Sequence, residues 1–306
     1  MSTQVPRLLA GLVDDAAVFP PGSATLPDAL AAHRRHRASW YADLVGPLLV
    51  PASALPDLAR LLDTETPGTP ETPGTPGAPA AEPAPLEIGV IGDVPLARLG
   101  AACAAADPRL RIRQVEAAVA RRGEDPLPGL AELTGLATGW TAAGRPDVYA
   151  EIPLAWGLLG ALDRLAEQRA GGLRIAAKFR TGGLAAELFP TPGELATVLC
   201  ACRDRQLPFK LTAGLHHATR AVDPETGFTH HGFVNVLAAV RVAAEGGPVD
   251  AVAEVLTTVD PRPLLQWTAP GRDGPRPLWI GFGSCSIGEP LTDLVRLGLV
   301  DGGYSQ

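Results

Sequence analysis

Two lysines stand out as residues that could do chemistry. The chain has 26 lysines and arginines in 306 residues, and all of them except Lys178 and Lys210 are arginines. Burial lowers the pKa of a lysine, and two lysines close together would lower each other's pKa further. A neutral amine can attack a carbonyl carbon and form a Schiff base, whereas arginine stays protonated. The alternative is that each lysine binds a carboxylate or phosphate as a fixed positive charge, or points to solvent.

Acidic, basic and histidine side chains recur at the ends of short apolar stretches. Those with a candidate role are Asp15, Glu116, Glu151, Arg180 and His216. Carboxylates and histidine can accept and return protons beside a reactive amine, since their pKa values lie at or below neutrality. We therefore expect Glu116, Glu151 and His216 to assist catalysis, and Asp15 and Arg180 to contact the substrate.

Small residues form a second component near the two lysines. They are Gly182 and Gly183 after "KFRT", Gly214 after "KLTA", and Gly283 and Ser284 in "GFGS". Loops after the last strands of a barrel commonly bind phosphate through backbone N–H groups and a helix N-terminus. We expect these five residues to hold a phosphate or carboxylate. The alternative is that each glycine only permits a turn.

The six histidines are unevenly placed. His33 and His36 lie on a predicted polar helix face, where we expect them to be solvated. The other four form two adjacent pairs, His216–His217 and His230–His231. Together with Asp15 or Glu151 they offer a metal site as an alternative. Adjacent side chains on an extended chain point in opposite directions, and no HxxxH spacing occurs, so the favoured interpretation includes no metal and no other cofactor.

Eight apolar stretches of strand type are predicted to position these residues. They cover residues 9–13, 46–50, 86–91, 111–117, 148–152, 173–179, 208–213 and 278–282. Helical patterns lie between them, and the segment after Thr191 has an N-cap, a first-turn proline and the capping-box acid Glu194. Nearly continuous apolar strands that alternate with helices are typical of parallel sheets. Eight such units predict a (β/α)8 TIM barrel, with chemistry at the C-terminal strand ends; a doubly wound open sheet is the alternative.

Two insertions interrupt the predicted barrel. Residues 64–85, "TETPGTPETPGTPGAPAAEPAP", form a Pro/Gly/Thr repeat that cannot bury apolar area, so we expect a disordered loop before the third strand. Strand and helix signals continue on both sides of it, so residues 1–306 are predicted to be a single barrel domain. The connection at residues 214–276, between the seventh and eighth strands, is long, and we expect it to hold two helices.

Charge and hydropathy limit the partners that we expect. The net charge of −7 argues against nucleic acid and anionic membranes, but not against a local basic pocket for an anionic metabolite. No signal peptide is evident, and no apolar run reaches the roughly 18 residues of a membrane span. The four cysteines lack CxxC spacing, which favours reduced thiols in a cytoplasmic protein. Homo-oligomer formation stays open.

The motifs at the strand ends resemble the class I deoxyribose-phosphate aldolase family, whose members are (β/α)8 barrels. "KFRTGG" at Lys178 resembles the family's K-T-S-T-G motif, and "KLTAGLH" at Lys210 resembles its K-x-[SA]-G-G-[IV]-R motif. "GFGS" resembles its G-T-S-S motif. "VEAAV" at Glu116 resembles the segment with its proton-relaying acid, and "AEIP" at Glu151 resembles its E-T-G stretch. The resemblance covers these short motifs in order, from the fourth strand to the eighth.

The chain also departs from that family. Glu116 stands where the family has aspartate, and Ala213 and His216 replace a glycine and an arginine of the seventh-strand motif. The connection before the last strand is far longer. The resemblance implies that Lys178 forms the Schiff base and that Lys210 tunes it, and it leaves the substrate open. "FKLTAGLHHATR" and "HHGFVNVL" are also similar to bacterial proteins with no assigned function.

The favoured hypothesis is a cofactor-independent carbon–carbon lyase of the class I aldolase type, acting on a small phosphorylated or carboxylated carbonyl compound. Lys178 would form the Schiff base, Lys210 would lower its pKa, and Glu116 would shuttle protons. One alternative is a metal-dependent lyase or hydrolase that uses His, Asp and Glu at the barrel mouth. The other is a barrel that binds a small molecule without catalysis.

Overall fold

Ten strands and ten α-helices form in residues 5–64, 84–140 and 145–302, which are the residues that the computed structural model describes. The strands are β1 (Val13–Asp15), β2 (Val45–Pro51), β3 (Leu86–Ile91), β4 (Leu110–Ala118), β5 (Asp147–Glu151), β6 (Ile175–Arg180), β7 (Phe209–Thr212), β8 (Ala221–Val222), β9 (Thr229–His230) and β10 (Trp279–Ser284). The helices are α1 (Leu26–Arg37), α2 (Leu55–Thr64), α3 (Leu96–Ala104), α4 (Pro126–Gly139), α5 (Leu158–Ala170), α6 (Pro192–Asp204), α7 (Phe233–Ala244), α8 (Val249–Thr257), α9 (Pro261–Thr268) and α10 (Gly288–Arg296).

Eight of the strands close into a barrel in the order β1-β10-β7-β6-β5-β4-β3-β2. Every pairing around the barrel is parallel. The two remaining strands, β8 and β9, pair with each other in an antiparallel hairpin. Helices alternate with the barrel strands, as parallel connections require. The predicted (β/α)8 barrel is therefore confirmed, and the doubly wound open sheet is wrong.

Two of the differences between the predicted and the observed strand ends affect the candidate site residues. β1 covers Val13–Asp15 rather than residues 9–13, because Arg7–Leu9 forms a 3-10 turn and Gly11 has a φ of +56°. Asp14 and Asp15 therefore lie in the strand and not after it. The "GFGS" segment, residues 281–284, belongs to β10 and not to a loop after it.

The two predicted insertions have different outcomes. Residues 65–83 of the Pro-rich segment lie outside the described residues. Between β7 and β10 the chain forms the β8–β9 hairpin and three helices rather than two. The predicted helical stretch divides because Gly246–Gly247–Pro248 ends α7, and Asp260 then caps a new helix that begins at Pro261.

Helix packing fixes which strand residues face inward. In β6, residues 175–179 are all buried, and Ile175, Ala177 and Phe179 belong to the hydrophobic core. Successive strand residues point to opposite faces, and Ala177 and Phe179 face the helices. Lys178, which lies between them, therefore points into the barrel. The following helix, α6, begins with the predicted capping box, in which Glu194 N–H donates to Thr191 Oγ1 and Thr191 N–H donates to the Glu194 carboxylate.

None of the helices in the described ranges is long and apolar enough to cross a membrane. All four cysteines lie in those ranges and carry free thiols.

Candidate functional site

Strand register places the two lysines side by side in the barrel. Lys178 in β6 is paired in register with Lys210 in β7, and with Glu151 in β5 on its other side. Both lysines are buried, with only 3% and 1% of their surface exposed. The sequence prediction that the two lysines are neighbours near the ends of adjacent strands is therefore consistent with the geometry.

A continuous chain of opposite charges runs across the interior, which we call the interior network. Its members, in order of contact, are Asp14, Lys210, Glu116, Lys178, Glu151 and Arg180. Five barrel strands supply these side chains, so the network exists only when the barrel is closed. Three carboxylates face two ammonium groups and one guanidinium, which balances the charge of the network.

Lys178 lies between two carboxylates. Its Nζ is 2.8 Å from Glu116 Oε2 and 2.8 Å from Glu151 Oε2. Arg180 also binds Glu151: its Nη2 and Nε are 3.1 Å and 3.2 Å from Glu151 Oε1. The carboxylate of Glu151 therefore bridges the ammonium group of Lys178 and the guanidinium of Arg180.

Lys210 is enclosed more deeply. Its Nζ donates to Asp14 Oδ2 and to Glu116 Oε1, and lies 5.0 Å from the centre of the Tyr149 ring. Gln114 completes this end of the network, because its Nε2 donates to Asp14 Oδ2 at 2.6 Å and to Glu116 Oε1 at 2.9 Å. Glu116 thus uses one oxygen for each lysine, so it couples the two ammonium groups.

The predicted lowering of the lysine pKa values is wrong for this arrangement. Burial alone would lower the pKa of Lys178, but Glu116 and Glu151 outweigh it and raise the pKa above its usual value. The pKa of Lys210 is raised in the same way, because Asp14 and Glu116 outweigh burial. The sequence reasoning counted the second lysine as the nearest charge, whereas each ammonium group has two carboxylates closer to it.

The carboxylates respond in the opposite direction. Burial would raise the pKa of Glu116, but Lys178 and Lys210 lower it to about 2. The pKa of Glu151 is also lowered, because Lys178 and Arg180 outweigh its burial. Burial raises the pKa of Asp14, although Lys210 opposes that shift. Both lysines and the two glutamates are consequently charged at neutral pH.

Three site residues were missed by the sequence reasoning. Asp14 directly follows the apolar residues 9–13, but the sequence analysis gave it no role. Gln114 was not considered, although it is two residues before Glu116 and therefore lies on the same face of β4. Gly46 is a third contributor, because a Cβ on it would overlap Oδ1 of Asp14. Strand alternation alone could have found Gln114, whereas Gly46 needed the closed barrel.

A cleft of about 150 Å³ opens beside the network, at the C-terminal ends of β5 and β6. Glu151 and Arg180 line it, together with Arg122 from the segment after β4. The side chain of Glu151 is 17% exposed and that of Arg180 is 43% exposed. Glu151 is therefore the point at which the buried lysines connect to space that a small molecule could enter.

The residues predicted to hold an anion are only partly assembled. Gly182 packs on the segment after β7, where a Cβ on it would lie 2.7 Å from the Cα of Gly214. Gly183 packs against Leu188 in the same way, while Gly283 lies within β10. The hydroxyl of Ser284 donates to the backbone oxygen of Ser286 at 2.7 Å. Close packing accounts for Gly182, Gly183 and Gly214, and anion binding by the five residues stays a prediction.

Asp15 and His33 form a separate buried pair. Asp15 Oδ2 lies 3.0 Å from His33 Nδ1, and both residues are nearly inaccessible. The expectation of a solvated His33 is wrong, because this face of α1 packs on the barrel with Ala29 and Leu30. Asp15 points away from the interior network, since it alternates with Asp14, so a substrate contact has no support from its position. His36 is half-buried, with Nδ1 3.0 Å from the Tyr41 hydroxyl.

His216 has partners of its own beyond β7. Its Nδ1 is 3.3 Å from Glu289 Oε2 and 4.0 Å from Cys285 Sγ, and its ring centre is 5.8 Å from that of His230. These contacts do not include a member of the interior network. A catalytic role for His216 stays a prediction that the geometry does not strengthen.

The other histidines of the two pairs also have separate partners. His217 faces Asp293, and His231 Nε2 donates to the backbone oxygen of Pro190 at 2.7 Å. Burial lowers the pKa of His231 to about 4, so it is neutral. Within the described residues, no group of three or more His, Cys, Asp or Glu side chains is arranged to hold a metal ion. The metal-dependent alternative therefore has no ligand cluster there to support it.

Comparison with protein-family models, with curated proteins and with solved structures found no match to this chain. The chemistry of the site therefore has to be inferred from its own residues.

Proposed function

We propose that the chain is a lyase of the class I aldolase type, in which Lys178 forms a Schiff base with a small carbonyl substrate. One observation carries the proposal: a buried lysine lies between two carboxylates, and one of these, Glu151, lines an open cleft. The cleft is at the C-terminal end of the strands, where barrel enzymes carry out their chemistry.

Lys178 is the better candidate of the two lysines. Its partner Glu151 connects it to the cleft, so movement of one side chain gives a substrate access to Nζ. Lys210 is held between Asp14 and Glu116 under the ring of Tyr149. It therefore serves as a fixed charge that keeps Glu116 ionised beside Lys178.

The resting ammonium group must lose a proton before it can attack. Glu151 is within hydrogen-bond distance of Nζ and can accept that proton when a substrate displaces the ion pair, because the loss of Lys178 as a partner removes the main charge that lowers its pKa. The amine lone pair then forms a bond to the carbonyl carbon, and the carbonyl π electrons move to oxygen. One proton from the nitrogen and the proton returned by the carboxylate convert that oxygen to water. As the water leaves, the nitrogen lone pair forms the C=N bond of a positively charged iminium on Lys178.

The charges of the network suit the iminium. It carries its positive charge at the atom that carried the ammonium charge, so the carboxylates that stabilise Lys178 at rest stabilise the intermediate as well. Groups fixed in advance around a developing charge give the largest electrostatic gain, because they need no reorganisation. Lys210 supplies the charge that fixes Glu116.

Carbon–carbon cleavage then follows from the same groups. Glu116 or Glu151, directly or through water, takes the proton from the substrate hydroxyl group. The electrons of the broken carbon–carbon bond move into the iminium and give an enamine, while the hydroxyl carbon leaves as a carbonyl product. Protonation of the enamine and addition of water release the second product and restore Lys178.

Borohydride trapping tests this role directly. The protein is incubated with a panel of aldehydes and ketones, reduced, and examined by intact mass and peptide mapping. We expect one stable adduct on the peptide that contains Lys178, and its loss in Lys178→Met. Lys210 is an internal control, since it is the only other lysine in the chain. Absence of an adduct across the panel, or an adduct on Lys210 alone, would show that the proposal is wrong.

A second function, binding without catalysis, is favoured by the completeness of the interior network. Each lysine has two carboxylate partners, which is also how a structural charge cluster fills a polar barrel. Ligand binding that persists in Lys178→Met, together with no trapped adduct in the unmodified chain, would support this function instead.

A further inference from the structure

We infer that the substrate is a small 2-oxo acid, whose carboxylate binds Arg180 while its carbonyl carbon reaches Lys178. This inference rests on the proposed Schiff-base role and names the substrate class for it.

The spacing of the two cations is the first observation. Glu151 Oε2 is 2.8 Å from Lys178 Nζ, and Glu151 Oε1 is 3.1 Å from Arg180 Nη2. The gap between the amine and the guanidinium is therefore the width of a single carboxylate. In a 2-oxo acid the carbonyl and the carboxylate are on adjacent carbons, so one molecule spans this gap with its carboxylate on Arg180 and its carbonyl beside Nζ.

The charge balance is the second observation. A substrate that reaches Lys178 must displace the Glu151 carboxylate from Nζ. If the substrate were a neutral carbonyl compound, movement of Glu151 would weaken its ion pair with Arg180, and no other negative charge would replace it. A substrate carboxylate supplies that charge again, and arginine binds carboxylates through two parallel N–H donors. Glu151 is then free to accept the proton that Lys178 releases.

The cleft itself gives the third observation. Arg180 and Arg122 both line it, as do Glu151, Glu187 and Glu194. Arg122 Nη1 is 3.1 Å from the backbone oxygen of Glu187. The carboxylates outnumber the guanidinium groups, so the cleft as a whole carries no excess positive charge, and the case for a substrate carboxylate rests on Arg180 beside Lys178. The volume of about 150 Å³ is below the roughly 300–1,000 Å³ of most ligand pockets, which points to a small acid.

The test compares matched carbonyl compounds in the trapping assay. Pyruvate and glyoxylate represent the 2-oxo acids, hydroxyacetone represents neutral ketones of similar size, and glyceraldehyde 3-phosphate represents phosphorylated substrates. The concentration that gives half-maximal adduct is measured for the unmodified chain, Arg180→Gln and Arg164→Gln. Arg164 is an exposed arginine on α5 that pairs with Glu167, so it serves as the matched control.

We expect the 2-oxo acids to trap Lys178 at the lowest concentrations. Arg180→Gln should raise the half-maximal concentration for pyruvate roughly 10- to 100-fold, as loss of a charge-assisted hydrogen bond predicts. The value for hydroxyacetone should change far less, because this ketone has no carboxylate to bind Arg180, and Arg164→Gln should change neither. Thermal unfolding checks that Arg180→Gln is folded, which its half-exposed position favours.

The outcomes separate this inference from the proposed function. If hydroxyacetone or the phosphorylated aldehyde traps Lys178 as readily as pyruvate does, the Schiff base stands and the 2-oxo acid assignment is wrong. The same conclusion follows if Arg180→Gln traps pyruvate like the unmodified chain. If no carbonyl compound is trapped, both the proposed function and this inference are overturned.

Discussion

Replacement of Glu116 by glutamine should lower the free energy of unfolding by on the order of 3 kcal/mol at neutral pH. The lowered pKa gives one route to this figure: a shift from 4.5 to about 2, at about 1.4 kcal/mol for each unit, corresponds to on the order of 3 kcal/mol. The cost of breaking a buried ion pair gives a second route to the figure, because removal of one partner typically costs about 3–5 kcal/mol. The two routes agree because Glu116 is nearly inaccessible and contacts both lysines.

The same pKa shift fixes the pH dependence of this effect. The folded-state pKa of Glu116 lies below the ordinary value of 4.5, so its contribution to stability is fully present above that value. It is lost as the pH falls from about 4.5 through about 2, where the folded chain also takes up the proton. Glutamine at position 116 has no proton to gain. The difference between the unmodified chain and Glu116→Gln should therefore shrink as the solution becomes acidic.

Urea unfolding at neutral pH and at about pH 3 measures both effects. Glu132→Gln is the matched control, since Glu132 is an exposed residue on α4 and its loss should have little effect. A loss below about 1 kcal/mol for Glu116→Gln at neutral pH would place the interaction at the level of a surface ion pair and refute the reasoning. A difference that is equally large at both pH values would refute the assignment of the effect to the ionised carboxylate.

Three further changes test individual contacts of the fold by the same unfolding assay. Gly46→Ala should cost about 1–3 kcal/mol, because the added Cβ overlaps Oδ1 of Asp14; unchanged stability would mean that the carboxylate can move aside freely. His33→Ala should cost about 1–3 kcal/mol, since it removes the partner of the buried Asp15, and a neutral result would show that water replaces the imidazole. Thr191→Ala should cost about 1 kcal/mol, because it removes the side-chain cap of α6, whereas Thr191→Ser should retain most of the stability.

The barrel could be predicted from the sequence because most of its strands contain a continuous apolar stretch, although β1 and β4 also carry charged residues. Residues 86–91 were predicted as a strand and are β3, and the other seven strand predictions each overlap a barrel strand. Parallel strands buried on both faces give this continuous signal, and eight of them in one chain leave few other folds. The register of Lys178 beside Lys210 then follows from two adjacent strands with lysines at similar depth.

The electrostatics of the site could not be predicted in the same way. Lys210 contacts Asp14, which is 196 residues away in the chain, and this contact forms only when β10 pairs with both β1 and β7. The sequence shows which charged residues lie at strand ends, but not which oxygen lies nearest each nitrogen. The direction of the lysine pKa shifts depends on those distances, so the reasoning from neighbouring lysines had the wrong sign. The prediction that His33 is solvated was wrong for a similar reason, since its burial depends on how α1 packs.

The network also explains why these two positions are lysine in a chain that otherwise uses arginine. Lys210 is almost fully enclosed by Asp14, Glu116 and the Tyr149 ring, and a compact ammonium group fits such a space with its donors paired. A planar guanidinium has five donors, and in that enclosure some would be buried without an acceptor. Arg180 at the edge of the cleft can leave spare donors to solvent. Enclosure alone thus accounts for lysine at position 210. Lys178 differs because Glu151, one of its two carboxylate partners, reaches the cleft, and this contact rather than the rarity of lysine supports the covalent role that we propose for it.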